Sequence, residues 1–179
     1  LILDEIQCGM GRTGKMFCFQ NYNVQPDIVT SAKALGLGVP VGCFGLSKRA
    51  VEFSLEPGDH GTTYGGNPLV TTAVYTSIDI MKKTKLPESV AELTPYLEAC
   101  LDRIVNDYDI AVTHRGMGFM QGIVVKDIKP VEIVKAALKE GLILLTAGSD
   151  VVRMLPPLVI TKENIDEMEA KLRKVLDNL

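Results

Sequence analysis

The chain has 179 residues, 46% hydrophobic and 23% charged, the composition of an ordinary globular protein rather than a disordered or fibrous one. Nineteen Lys and Arg against 22 Asp and Glu leave a net charge of −3, which argues against a nucleic-acid-binding surface or a polybasic membrane anchor. No apolar run reaches the ~18 residues that a bilayer-spanning helix needs. The four cysteines (Cys8, Cys18, Cys43 and Cys100) include no C-x-x-C pair, so a reduced, cytosolic chain is expected.

The chain opens on the apolar run Leu1-Ile2-Leu3-Asp4 with no preceding turn or cap, whereas free termini are usually polar and frayed. It therefore reads as a piece of something longer. Leu1–Leu3 and Ile28–Thr30 are expected to be strands of a parallel sheet, joined by a loop-rich crossover. Val39–Leu46 reads as a third strand, weakened by Gly42 and Gly45. Turn formers fill Glu56–Gly66, and a helix follows with Asn67 as its N-cap and Pro68 at its first position. Val70, Ala73, Val74, Ser77, Ile78 and Met81 share one face of that helix, which the lysines at 82, 83 and 85 close.

The character of the chain changes at Lys85-Leu86-Pro87, where a domain boundary is expected between residues 1–85 and 86–179. Beyond it come a helix ending near Asp107, a strand around Phe119–Val125, and a helix from Pro130 to Glu140 stopped by Gly141. Pro95 implies either a helix beginning behind Thr94 or a kinked one. Leu142–Thr146 and Val151–Leu155 read as short strands. A last helix after Thr161 carries Ile165, Met168, Leu172, Val175, Leu176 and Leu179 on one stripe. The whole reads as part of an α/β sheet domain followed by a smaller α+β domain.

Gly9-Met-Gly11-Arg-Thr-Gly14 matches G-x-G-x-x-G, and with Lys15 it approaches a phosphate loop. Both motifs need a helix directly afterwards, whose N-terminal amides hold the phosphate. Residues 16–23 carry no helical period, and Met16 stands where a magnesium-binding Ser or Thr belongs. A tight loop over a cleft explains the glycines better than nucleotide binding does.

Asp4 and Lys33 each fall at or just past the end of an apolar strand, the edge where ligands collect in open α/β sheets. On position alone, a salt bridge is the simpler account of the pair. The rest of the chain adds what pyridoxal phosphate requires: a lysine amine for its aldehyde, an anion for its pyridine nitrogen, a phosphate cup and a cation for the substrate carboxylate. Lys33 and Asp4 suit the first two roles. His60-Gly-Thr-Thr-Tyr-Gly-Gly-Asn67 supplies two hydroxyls and open backbone before a helix start. Arg153, the lone cation in Val151–Leu158, suits a bidentate carboxylate clamp. Each residue also has a plain structural account: Asp4 as a turn cap, Thr63 as a loop hydroxyl, Arg153 as an edge-strand charge.

Asp4-Glu-Ile-Gln-Cys-Gly-Met-Gly-Arg-Thr-Gly14, Pro26-Asp-Ile-Val-Thr-Ser-Ala-Lys-Ala-Leu-Gly36 and His60-Gly-Thr-Thr-Tyr-Gly-Gly-Asn-Pro68 together resemble the class III aminotransferases. With Ala147-Gly-Ser-Asp-Val-Val-Arg-Met-Leu-Pro-Pro157 the likeness is greatest to the branch acting on acetylornithine. The resemblance implies the fold type I, aspartate-aminotransferase-like architecture of pyridoxal-phosphate transferases. Residues 1–85 would then be the C-terminal part of the large, cofactor-binding domain and 86–179 the small C-terminal domain. It implies Lys33 as the cofactor lysine and proton carrier, Asp4 at the pyridine nitrogen and Gln7 beside the phenolic oxygen. Thr63, with Thr62, would bind the phosphate across a homodimer interface, and Arg153 would bind the substrate α-carboxylate. His60 and His114 receive no catalytic role, and Tyr64 and Asn67 shape the phosphate loop.

The implied reaction moves an amino group between N-acetylornithine, or a related ω-amine, and 2-oxoglutarate, in arginine biosynthesis. Ornithine, succinylornithine, 4-aminobutyrate and glutamate semialdehyde are sibling substrates. The amino-terminal half of the family pattern is missing, so the alternative from a different class is a truncated, non-catalytic binding or assembly module. No metal, nucleic-acid or membrane partner is expected.

Overall fold

The computed structural model describes residues 1–179, and these divide into two compact units, Leu1–Glu88 and Ser89–Leu179. No helix is long and apolar enough to cross a membrane.

The first unit is built on a three-stranded sheet of β1 (Ile2–Asp4), β2 (Ile28–Ser31) and β3 (Cys43–Leu46), with β2 in the centre. β1 and β2 run parallel, with Ile2 opposite Ile28 and Asp4 opposite Thr30. β3 departs from the expected parallel arrangement: it pairs antiparallel to β2, with Ile28 opposite Leu46 and Ser31 opposite Cys43. The connection from β2 to β3 is too short for a crossover helix, so the chain turns back on itself. β3 is also shorter than the expected Val39–Leu46, because residues 39–42 are spent on that return.

The β1–β2 crossover carries a short 3-10 helix, Cys18–Tyr22, and no α-helix follows Gly14, so the glycine triplet forms a loop. After β3 come the single turn α1 (Lys48–Val51), capped by Ser47, and the long α2 (Pro68–Lys83). Asn67 caps α2 through its Oδ1, which accepts from the Val70 amide at 3.1 Å. Val70, Ser77 and Met81 are its buried face.

α3 (Leu86–Asp107) is one helix with Pro95 in its interior, so it does not begin behind Thr94. Beside the proline, Thr94 donates its hydroxyl to the Val90 carbonyl at 2.7 Å. The second unit's sheet has the order β4-β5-β7-β6, all neighbours antiparallel: β4 (Ala111–Met117), β5 (Met120–Val125), β6 (Leu145–Ala147) and β7 (Val151–Met154). β4 carries no strand signal in the sequence, since polar Thr113, His114 and Arg115 interrupt any apolar alternation there. α4 (Pro130–Lys139) ends before Gly141, whose φ of 71° suits a glycine stop. α5 (Lys162–Leu176) begins at a Thr161–Asn164 capping box. Leu97, Leu101, Ile104, Phe119, Ile133, Ile165 and Leu172 fill the core of this unit, each almost fully buried.

Candidate active site

The end of β2 determines how Lys33 is presented. Ser31 is buried, Ala32 is extended, and Lys33 then takes a left-handed backbone with φ of 49°. A non-glycine residue pays about 1–2 kcal/mol for that conformation, and such outliers gather at functional sites. The turn is held from below: the Leu35 amide donates to the Ala32 carbonyl at 3.0 Å, and the Leu35 side chain is buried. Ser77 of α2 donates its hydroxyl to the Ala34 carbonyl at 3.5 Å. Gly36 is needed by close packing, since a Cβ there would lie 2.6 Å from Val41 Cγ1. Lys33 itself is exposed on top of this anchored turn.

Asp4 ends β1, opposite Thr30, and Lys33 follows three residues after Thr30. Both therefore leave the sheet at the C-terminal edge of the parallel pair. They form no ion pair with each other, in contrast to Arg49–Asp27 at 2.5 Å and Lys83–Asp79 at 2.8 Å in the same unit. The salt-bridge account of the pair thus fails. Asp4 does cap a turn, its Oδ1 accepting from the Ile6 amide at 2.9 Å, and this orients a carboxylate that stays exposed. Gln7 is half-buried in the same turn.

Beside this edge lies an open cleft of about 910 Å³, lined among others by Ile6, Thr30, Ser31, Ala32, Thr62 and Gly66. Asp4, Lys33, Gln7 and Thr63 are not on its wall, but Ala32 and Ile6, which adjoin Lys33 and Gln7 in sequence, are. Thr30 Oγ1 and Ser31 Oγ are buried without a hydrogen-bond partner. Orphaned buried hydroxyls are rare and call for a polar group to complete them. Both immediately precede Ala32-Lys33, and their position at the end of an apolar strand is the one signal of them in the sequence.

In the loop before α2, Thr62 Oγ1 accepts from the Gly65 amide at 3.3 Å, and Asn67 Nδ2 donates to the Tyr64 carbonyl at 2.8 Å. Thr63 is exposed and has no such intrachain bond. His60 rests edge-on against Phe44, with ring centres 5.0 Å apart.

Arg153 belongs to the second unit. It lies on β7, opposite Gly122 of β5 and Leu145 of β6, between buried Val152 and Met154. β7 is an interior strand, so the edge-charge account of Arg153 fails. His114, on β4, holds Asp102 at 3.0 Å through its Nε2.

An amine and a carboxylate that share one edge without neutralising each other can serve a ligand carrying both an electrophilic carbonyl and a basic heterocyclic nitrogen. The orphaned hydroxyls and the open loop add donors for an anionic group. Pyridoxal phosphate has these features, and the residues present fit it.

The family model of the class III aminotransferases matches residues 1–176, and the chain belongs to that family. Class III aminotransferases are pyridoxal-phosphate enzymes of the fold type I architecture. Among curated relatives, the acetylornithine aminotransferase of Methanocaldococcus jannaschii is 41% identical over 179 residues, all of this chain and 44% of that protein. The acetylornithine aminotransferase of Streptococcus mutans is 44% identical over 178 residues, 99% of this chain and 46% of that one. Of solved structures, the ornithine aminotransferase of Plasmodium yoelii superposes with a TM-score of 0.91 at 33% identity, covering 99% of this chain and 47% of its own. The acetylornithine aminotransferase of Elizabethkingia anophelis gives 0.90 at 28% identity, with 99% and 45% covered. The chain spans less than half the length of these relatives.

Proposed function

We propose that the protein carrying this chain transfers an amino group between N-acetylornithine, or a closely related ω-amine, and 2-oxoglutarate. Its residues 1–85 belong to the cofactor-binding large domain and 86–179 to the small domain. When bound, pyridoxal phosphate supplies an aldehyde and an electron-accepting ring. Lys33 Nζ would hold the cofactor at that aldehyde and would carry the proton between the amine-bearing carbon of the substrate and the cofactor's aldehyde carbon. Asp4 holds a proton at the pyridine nitrogen, and Gln7 orients the ring through its phenolic oxygen. Thr63, with Thr62, binds the phosphate of the neighbouring subunit's site in a homodimer. Arg153 binds the substrate α-carboxylate in a two-point fork.

The observation that carries this reading is the unpaired Asp4–Lys33 arrangement at one sheet edge. Exposed Phe53, Tyr64 and Leu69 in the first unit favour a subunit interface over them. Four free thiols agree with a cytosolic setting, and the acetylornithine relatives favour a place in arginine biosynthesis. Ornithine is the second substrate reading, favoured by the likeness to ornithine aminotransferases at 33% identity.

The test is an absorbance titration of the full protein with pyridoxal phosphate. A visible band bleached by borohydride is expected, and Lys33→Ala should lose it. An equal band in Lys33→Ala removes the proposal.

A further inference from the structure

Glu5 is the only buried carboxylate in the molecule, 2% exposed, and the cofactor chemistry gives it no task. Its Oε1 accepts from the Phe19 amide at 2.8 Å. Its Oε2 accepts from the Cys18 amide at 2.8 Å and from the Cys8 thiol at 3.2 Å. The Cys18 residue opens the 3-10 helix Cys18–Tyr22, so its backbone and side chain are brought to the same carboxylate. The oxygen of Glu5 and the sulfurs of Cys8 and Cys18 all lie within 4.8 Å of one another. The loop closes tightly around them: a Cβ at Gly9 would stand 2.6 Å from the Glu5 carbonyl and 3.4 Å from Oε2.

We propose that Glu5, Cys8 and Cys18 form a binding site for one thiophilic divalent cation of the zinc type. Two sulfurs and one oxygen are the donor set that borderline-soft ions prefer over magnesium or calcium. Metal–sulfur bonds of about 2.3 Å in a tetrahedron put ligand atoms roughly 3.5–3.8 Å apart, which small side-chain rotations reach from the present spacing. Three protein donors leave a fourth position for water. The Cys18 and Phe19 amides hold the carboxylate from behind, as outer hydrogen bonds do for metal-bound carboxylates.

Uptake has a proton cost that makes it recognisable. A thiol binds such a cation only as its thiolate. The cation must displace the thiol protons, so binding releases protons and weakens as the pH falls. The site abuts the Asp4 segment, since Cys8 Sγ also reaches the Asp4 carbonyl at 3.4 Å. It nevertheless stands independently of the cofactor reading.

Cobalt(II) is the probe. The full protein is reduced with a phosphine, freed of metal and titrated with cobalt(II), while thiolate-to-metal charge-transfer absorbance and released protons are followed. One equivalent should bind with proton release, and Cys8→Ser and Cys18→Ser should each weaken binding at least tenfold. No band in the unaltered protein, or a band that survives both substitutions, overturns the proposal. Alkylation of the unaltered protein gives a second readout that needs no variant. Cobalt(II) should shield Cys8 and Cys18 while leaving the exposed Cys43 reactive. Equal labelling of Cys8 and Cys18 with and without cobalt(II), or a Cys8–Cys18 disulfide in place of bound metal, also overturns it.

Discussion

Asp4 and Lys33 leave the first sheet at the same edge yet form no ion pair, because the Asp4 carboxylate is turned back onto the Ile6 amide at 2.9 Å. Asp4→Asn keeps an oxygen acceptor for that amide while removing the charge. Folding should be little changed, and kcat/KM of the assembled enzyme should fall by roughly tenfold to a hundredfold or more. A hydrogen bond to a charged group contributes about 1.5–3 kcal/mol. Steady-state kinetics beside a thermal melt separates the two effects, and unchanged kcat/KM removes Asp4 from the site.

Gly36 has no room for a side chain, with Val41 Cγ1 only 2.6 Å from where a Cβ would sit. Gly36→Ala should cost about 1–3 kcal/mol by overpacking. The same shift should displace the Lys33 turn and weaken cofactor binding. Urea unfolding and a cofactor titration on one sample check both parts.

Glu169 of α5 accepts from Arg103 Nε at 3.0 Å and from Arg173 Nη2 at 2.9 Å. The Arg103 hydrogen bond, opposed by partial burial and helped by Arg173, holds its carboxyl down to about 2 from 4.5. The folded state therefore binds this proton less readily than the unfolded chain does. Its stabilisation is complete above pH 4.5 and is lost as the pH falls from there toward 2. Thermal melts across that range should show the loss, and Glu169→Gln should flatten the slope. An unaltered slope in that variant contradicts the assignment.

Leu101 is fully buried in the core of the second unit. Leu101→Ala should cost about 2–5 kcal/mol, the transfer of its side chain plus the cavity left behind. Chemical denaturation measures it directly.

Much of this architecture was legible in the chain itself. Asn67-Pro68 marked the start of α2 because a side-chain acceptor and a residue lacking an amide suit the first helical turn. Asp4 and Lys33 were visible as polar residues at strand ends, where a parallel register aligns them. The direction of β3 was hidden, because apolar runs look alike whichever way they pair. β4 was hidden as well, since its Thr113-His114-Arg115 segment has an exposed or half-buried pattern that local hydropathy does not mark. The helix start behind Thr94 is not found for a related reason: α3 runs through Pro95 because packing along the helix outweighs one missing bond. The burial of Glu5 is not legible in the sequence, because it depends on amides 13 and 14 residues away.

The most direct measurement is peptide mapping by mass spectrometry after the full protein, loaded with pyridoxal phosphate, is reduced with borohydride. A single phosphopyridoxyl group on Lys33 is expected. A group fixed instead on Lys15, Lys48 or another lysine, with Lys33 unmodified, would contradict the account.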